Sequence, residues 1–317
     1  MKKMINKEHI EGRVYEHNLA VKTVQNTESK NYGKEFIGGT LDIATDEACE
    51  NIVTVTFTYV TETTSKGAKN DTYTALKNII DNGKCVLVDG KDNATMVKVD
   101  TALGLNDFYT NRDGQETLVS AKRNEGGFVH IVTSLGEENT RNTFEVDMLI
   151  NGTREIEADE ENGKDGYLVV KGAVFNFRNA ILPVEFAVRS EGGMKYFENL
   201  DASPSNLVFT KIWGRIVSEQ KEVKSVEESA FGEANEKSYT RSFKEWLITG
   251  AASETYEIAE DEEAHLKPSE IQTAMTDRNT YLADVKKRSD EYQAQKAAKT
   301  AAGAVSATNV GADAFNF

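Results

Sequence analysis

The chain has 317 residues and a formal net charge of −15, with 39% hydrophobic and 28% charged residues. That length accommodates two core-bearing domains, and no run approaches the ~20 apolar residues of a membrane span. The opening MKKMINKEHIEG has basic residues without an apolar run behind them, so no secretory leader is read and a cytoplasmic protein is expected. Cys49 and Cys85 are expected as free thiols, too few for a zinc set.

Residues 10–24 (IEGRVYEHNLAVKTV) predict a strand broken at His17-Asn18, followed by a loop of turn formers at 26–33. The stretches 33–46 and 51–61 predict a strand pair. In NIVTVTFTYVT, Thr54, Thr56 and Thr58 alternate with Val53, Val55, Phe57 and Tyr59, which places both rings in the core by parity. Leu76, Ile79 and Ile80 recur at helical spacing over 73–81, with Asn82-Gly83 as the stop. Strands are then expected at 85–88, 95–99, 117–122 and 128–133, separated by turns at Asp89-Gly90, Asp113-Gly114 and Gly126-Gly127. Three strands, a short helix and closing strands make the order of a five-stranded Greek-key barrel of the oligonucleotide-binding (OB) type.

The order then repeats, with strands at 143–150, 167–177 and 182–189, a short helix at 193–200, and strands at 207–217 and 239–248. Acidic residues around Asn162-Gly163 read as a solvated hairpin tip, and residues 132–257 carry −9 of the total charge. Beyond Pro268, Ser269 and Gln272 form a capping-box pair, and Ile271, Met275, Leu282, Val285 and Tyr292 fall on one helical stripe. The expected fold is mainly β. It comprises one OB-like Greek-key barrel at 1–139, a second at 140–262, an amphipathic helix at 263–302 and a flexible tail with an aromatic end at 303–317.

No catalytic signature accompanies these elements. His9, His17, His130 and His265 are not at ligand spacing, and neither an HExxH, a phosphate-binding loop nor a GxSxG turn occurs. The acidic cluster near Asp159 lacks the spacing of a calcium loop. No enzyme, metal or cofactor is expected.

The informative pattern is aromatic residues interleaved with cations. Strand 207–217 sends Val208, Ile212 and Ile216 to one face and Phe209, Lys211, Trp213 and Arg215 to the other. Rings of this kind stack single-stranded bases at ~1–3 kcal/mol each while cations meet phosphates. The alternative is that Phe209 and Trp213 pack on the C-terminal helix with Lys211 and Arg215 snorkelling. By the same parity Lys171, Phe175 and Phe177, beside Arg178, share an outer face, Arg189 points outward from the next strand, and Lys34 and Phe36 do so in the first half. Loops add Tyr109 and Arg112 in NDFYTNRDG, and Lys122 and Arg123 before the glycine pair.

The stretches IEGRVYEHNLAVKTV, YGKEFIGGTLDIATDEACENIVTVTFTYV and LVFTKIWGRIV, with the terminal DAFNF, resemble the single-stranded DNA-binding proteins of bacteriophages. The resemblance implies non-catalytic, sequence-tolerant coating of single-stranded DNA in phage replication or recombination. It also implies a C-terminal tail, here Asp313, Phe315 and Phe317, that docks replication or recombination proteins. A homo-oligomer is compatible with it, and no membrane partner is implied. Two other readings stay open: a structural or scaffold component of a phage particle built from β-domains, and a carbohydrate- or peptide-binding module.

Overall fold

The computed structural model describes residues 2–112, 115–158, 165–227 and 235–307. Among these the strands are β1 (Asn6–His17), β2 (Ala20–Thr23), β3 (Glu35–Ala44), β4 (Ile52–Val60), β5 (Met96–Arg112), β6 (Gln115–Val132), β7 (Asn142–Ile156), β8 (Tyr167–Phe175), β9 (Ile181–Val188), β10 (Val208–Glu227) and β11 (Asn235–Ala251). The helices are α1 (Asp71–Asn82), α2 (Val86–Asp89), α3 (Glu191–Asn199) and α4 (Pro268–Ala307).

All the strands form one sheet in the order β10-β11-β9-β8-β7-β1-β5-β6-β4-β3-β2, and two extra pairings, β10 with β7 and β1 with β3, close it on itself twice. The closures yield two five-stranded barrels, β1-β3-β4-β6-β5 and β7-β8-β9-β11-β10, which repeat one strand order. Each has the Greek-key order of the OB type. The closure is uneven, because each barrel has a thin parallel contact: Val55 and Thr56 on β4 against Asn124 and Glu125 on β6, and Ala187 on β9 against Leu247 on β11.

β1 joins the barrels. One of its edges pairs with β5 over residues 8–13. On the other, β3 takes residues 13–17 and β7 takes 6–10. β7 mirrors this, with β10 along one edge and β1 followed by β8 along the other. The β1–β7 ladder is antiparallel and centred on Glu8 opposite Phe144, which relates the barrels by an approximate dyad at that pair.

The interiors merge into one apolar core. Ile37, Leu41, Val55, Phe57, Val99 and Leu103 fill the first barrel, with Tyr73, Leu76 and Ile79 of α1 packed in the same cluster. Val146, Met148, Val170, Phe186, Ile212 and Trp246 fill the second, with Phe197 of α3. Both helices are capped as their sequences dictate. Asn70 accepts from the Thr72 N–H and Ser190 from the Gly193 N–H, while the Gly83 N–H returns to the Ile79 carbonyl.

Several local expectations are corrected. Residues 85–88 form the helical turn α2 rather than a strand, held by the Cys85 N–H donating to Asp89 Oδ2 at 2.9 Å. The strands expected at 117–122 and 128–133 are one strand, β6, and Gly126-Gly127 is a bulge within it: Asp100 faces Phe128, Thr101 faces Gly126, and Gly127 is the extra residue. Residues 106–112 continue β5 instead of forming a loop. Phe57 is core as expected, but Tyr59 is 44% exposed. A bulge sets Thr58 and Tyr59 together against Gly38, which reverses the alternation and turns Tyr59 outward onto Phe36, 4.7 Å between ring centroids.

α4 spans about 60 Å and straps the two barrels. Its Ile271 and Ala274, with Leu266, cover Leu149, Phe175 and Phe209 on the outside of the second barrel. Farther along, Arg278 forks onto Asp107 of β5 at 2.6 and 2.7 Å, and both side chains are nearly sealed from solvent. Ile271 and Val285 of the expected stripe are buried and Leu282 is half-buried, whereas Met275 and Tyr292 are exposed. The helix also runs beyond residue 302, where the tail was expected to begin. The hairpin tip at Asn162-Gly163 and the terminal residues Asp313, Phe315 and Phe317 lie outside the described residues.

The dyad is also where a carboxyl group is buried. Glu8, 2% exposed, accepts from Trp246 Nε1 of the second barrel at 2.9 Å and from Thr101 Oγ1 of the first at 2.8 Å. Two donors favour the carboxylate, but loss of water outweighs them and pushes the Glu8 pKa up to about 7. The folded chain therefore keeps a proton that the unfolded chain releases near 4.5. This stabilisation is complete below pH 4.5 and is withdrawn as the pH rises through 7. Between pH 5 and 8 the loss from this group should be about 2–3 kcal/mol, and Glu8→Gln should remove that component in urea unfolding curves. An identical pH profile in the variant would refute the assignment. At the strap, Arg278→Ala should cost about 3–5 kcal/mol by leaving Asp107 buried without its counter-ion and with only the Ser120 hydroxyl donating to it, and joint replacement by Arg278→Met and Asp107→Leu should restore most of it.

Candidate nucleic-acid interface

Because β1 pairs with both β5 and β7, the strands β6-β5-β1-β7-β10 form a continuous surface across the two barrels. Ladder register arranges its side chains in rows. One row runs Phe128, Asp100, His9, Thr143, Arg215. The next contains Lys7, Glu145 and Trp213. The two rows, with Phe177 beyond the end of β8, line a cleft of about 980 Å³ between the barrels. Measured along the sheet, β6 lies about 19 Å from β10, four strand spacings away.

Three large rings on this cleft face solvent: Phe128 is 69% exposed, Phe177 82% and Trp213 40%. Trp213 lies over Gly250 of β11, where a Cβ would come within 2.4 Å of the indole Nε1, so glycine is what allows the ring to lie flat there. Phe177 carries the Arg178 guanidinium, 5.1 Å from its centroid.

The charges are paired in a consistent way. Asp100 is met by the His9 ring at 3.4 Å, Glu125 by Arg123 at 2.7 Å and Glu145 by Lys211 at 3.5 Å. Among the described residues neither Lys7 nor Arg215 has an ion-pair partner, and Arg215 Nη2 is buried without a hydrogen bond. Glu125 and Glu145 are thus each met by a permanent cation, and Asp100 is compensated only when His9, which also contacts Glu11, is protonated. Lys7 and the half-buried Arg215 are left without an ion-pair partner among the described residues.

The structure brings Phe177, Trp213 and Arg215 together at this cleft, with Lys211, Arg123 and Arg178 at its margin through their partners. Phe175 and Phe209 are fully buried beneath Leu266 and α4, so neither presents a ring to a ligand. That is the packing alternative read from the sequence, and it applies to Phe209 but not to Trp213. Tyr109 sits under Lys286 of α4, 5.5 Å from the ring, and Arg112 ends β5 with its side chain outside the described part. Lys122 is not at the surface for a phosphate. It lies 4.7 Å over the Trp246 ring and donates to the Glu185 carbonyl, and burial pulls its pKa down to about 8. Arg189 is engaged by Glu245 and Lys171 lies 4.0 Å from Glu185. Lys34 donates to Asn31 and Phe36 rests on Tyr59, both away from the cleft.

Sequence reasoning missed Lys7, His9 and Phe128. Residues 7–11 (KEHIE) hold a single apolar side chain and put Glu8 on the inward parity, so no polar–apolar alternation marked the start of β1 at Asn6. Phe128 was hidden because its glycine pair read as a turn.

Among the described residues no group of three or more His, Cys, Asp or Glu is placed to hold a metal ion, and no helix is long and apolar enough to cross a membrane. The chain is similar to two crystal structures of the single-stranded DNA-binding protein from Thermus aquaticus. The wild-type structure is 10% identical with a TM-score of 0.47, over 82% of this chain and 97% of that one. A deletion variant is 11% identical with a TM-score of 0.45, over 83% and 100%. None of the curated proteins matches. The family model described as YorF matches residues 5–288, from the start of the strand that joins the barrels into the strapping helix, and the chain belongs to the YorF family.

Proposed function

We propose that the inter-barrel cleft binds single-stranded nucleic acid without catalysing a reaction. The observation that carries this reading is the gathering of three exposed rings, Phe128, Phe177 and Trp213, on one cleft that also holds Lys7 and Arg215, cations without an ion-pair partner among the described residues. Rings on a curved β-surface accept base faces regardless of sequence, and cations between them meet phosphates. A net charge of −15 does not forbid this, because Glu125 and Glu145 on the cleft wall are met by Arg123 and Lys211. The setting would be replication or recombination of a phage genome, as the sequence resemblance implies, with residues 308–317 recruiting partner proteins.

Titration with a mixed-sequence DNA strand of about 30 nucleotides, twice the upper site size of one barrel, should quench tryptophan emission. Trp213 is the responsive ring, since Trp246 is buried. Followed by anisotropy of a labelled strand, Trp213→Ala and Phe128→Ala should each weaken binding by about 1–3 kcal/mol. With two cations engaged, log K against log salt should have a slope of about −1.4. Failure to bind at low salt, or equal preference for duplex, would refute the proposal.

A further inference from the structure

The surroundings of Trp213 hold one half-exposed acceptor and one buried donor without a partner among the described residues. Glu145 is its direct ladder neighbour on β7, with a half-exposed carboxylate whose one ion pair among the described residues is the 3.5 Å Oε1 contact to Lys211. Arg215 lies two residues along the same strand on the same face, and its Nη2 is buried with no partner. With no acceptor for this nitrogen among the described residues, turning the Arg215 side chain towards an acceptor brought by a ligand breaks no hydrogen bond at that atom.

Resting on the single-stranded DNA reading, we infer that Glu145 and Arg215 make the Trp213 position a guanine-selective subsite. A base stacked on the indole presents its edge to the flanking strand. Guanine alone offers two adjacent donors, N1–H and the 2-amino group, which a carboxylate accepts as a pair, together with O6 and N7 acceptors suited to arginine. Thymine offers one N–H between two carbonyl oxygens, and those oxygens would face the carboxylate. The cleft therefore binds strands of any sequence through its rings, and the Trp213 position adds a preference for one base.

The test compares a thymine-only strand of about 30 nucleotides with one carrying isolated guanines, and with a third in which inosine replaces each guanine. Inosine lacks the 2-amino group and leaves the protein untouched. The guanine strand should bind about tenfold more tightly than the thymine strand, inosine should lose most of that advantage, and Glu145→Gln, which also frees Lys211, should bring the guanine-to-thymine ratio towards one whatever it does to affinity overall. Equal binding of all three strands by the wild-type chain, or a Glu145→Gln variant that shifts all three alike and keeps their ratios, overturns the inference alone. Absence of binding to any strand overturns the single-stranded DNA reading and this inference with it.

Discussion

The antiparallel pairing of β1 with β7 is the contact on which the molecule depends. In each barrel the first strand is longer than the partner that would cover its outer edge: β3 reaches only residues 13–17 of β1, and β8 begins its pairing with β7 at Met148. Each barrel alone would expose an unpaired strand edge, a template for unwanted association. Residues 6–10 and 142–146 satisfy each other instead. The result is a single sheet that closes twice, not two domains on a linker.

What surrounds that ladder reinforces it from both sides. Glu8 receives one hydrogen bond from each barrel, and Lys122 of the first lies on the Trp246 ring of the second. Asn51, at the entry to β4, accepts from the Ser218 N–H and donates to the Ile216 carbonyl of β10. α4 adds a strap that is apolar where it crosses the second barrel and ionic where it meets the first. These ties hold the aromatic residues of different barrels at fixed separations, so the cleft is preorganised. A ligand then pays less ordering entropy on binding.

The candidate site was only partly legible in the sequence, for reasons that differ between residues. Trp213 and Arg215 read as outward because parity within one strand is a local property, whereas Phe177 lies in the turn past β8 and its exposure does not follow from the parity it shares with buried Phe175. Phe209 has the same parity as Trp213 and a different fate, since α4 and Leu266 cover one and stop short of the other. Lys122 read as a surface cation and is instead half-buried, laid over the Trp246 ring. Tyr59 was misplaced by a single-residue bulge that no alternation pattern encodes.

The amino-acid pattern by itself determined the mainly β class, the helix after the third strand of each half, the first with its glycine stop at Gly83, and the repeat of one strand order across the two halves. Those follow from side-chain periodicity and backbone chemistry over a few residues. Only the tertiary structure decided which outward-facing rings stay outward, because covering them takes a helix some sixty residues away in the chain. It also decided that Lys7, His9, Phe128 and Trp213 share one cleft. That neighbourhood comes from the register of strands far apart in sequence, which pairing energies set jointly and no single segment carries.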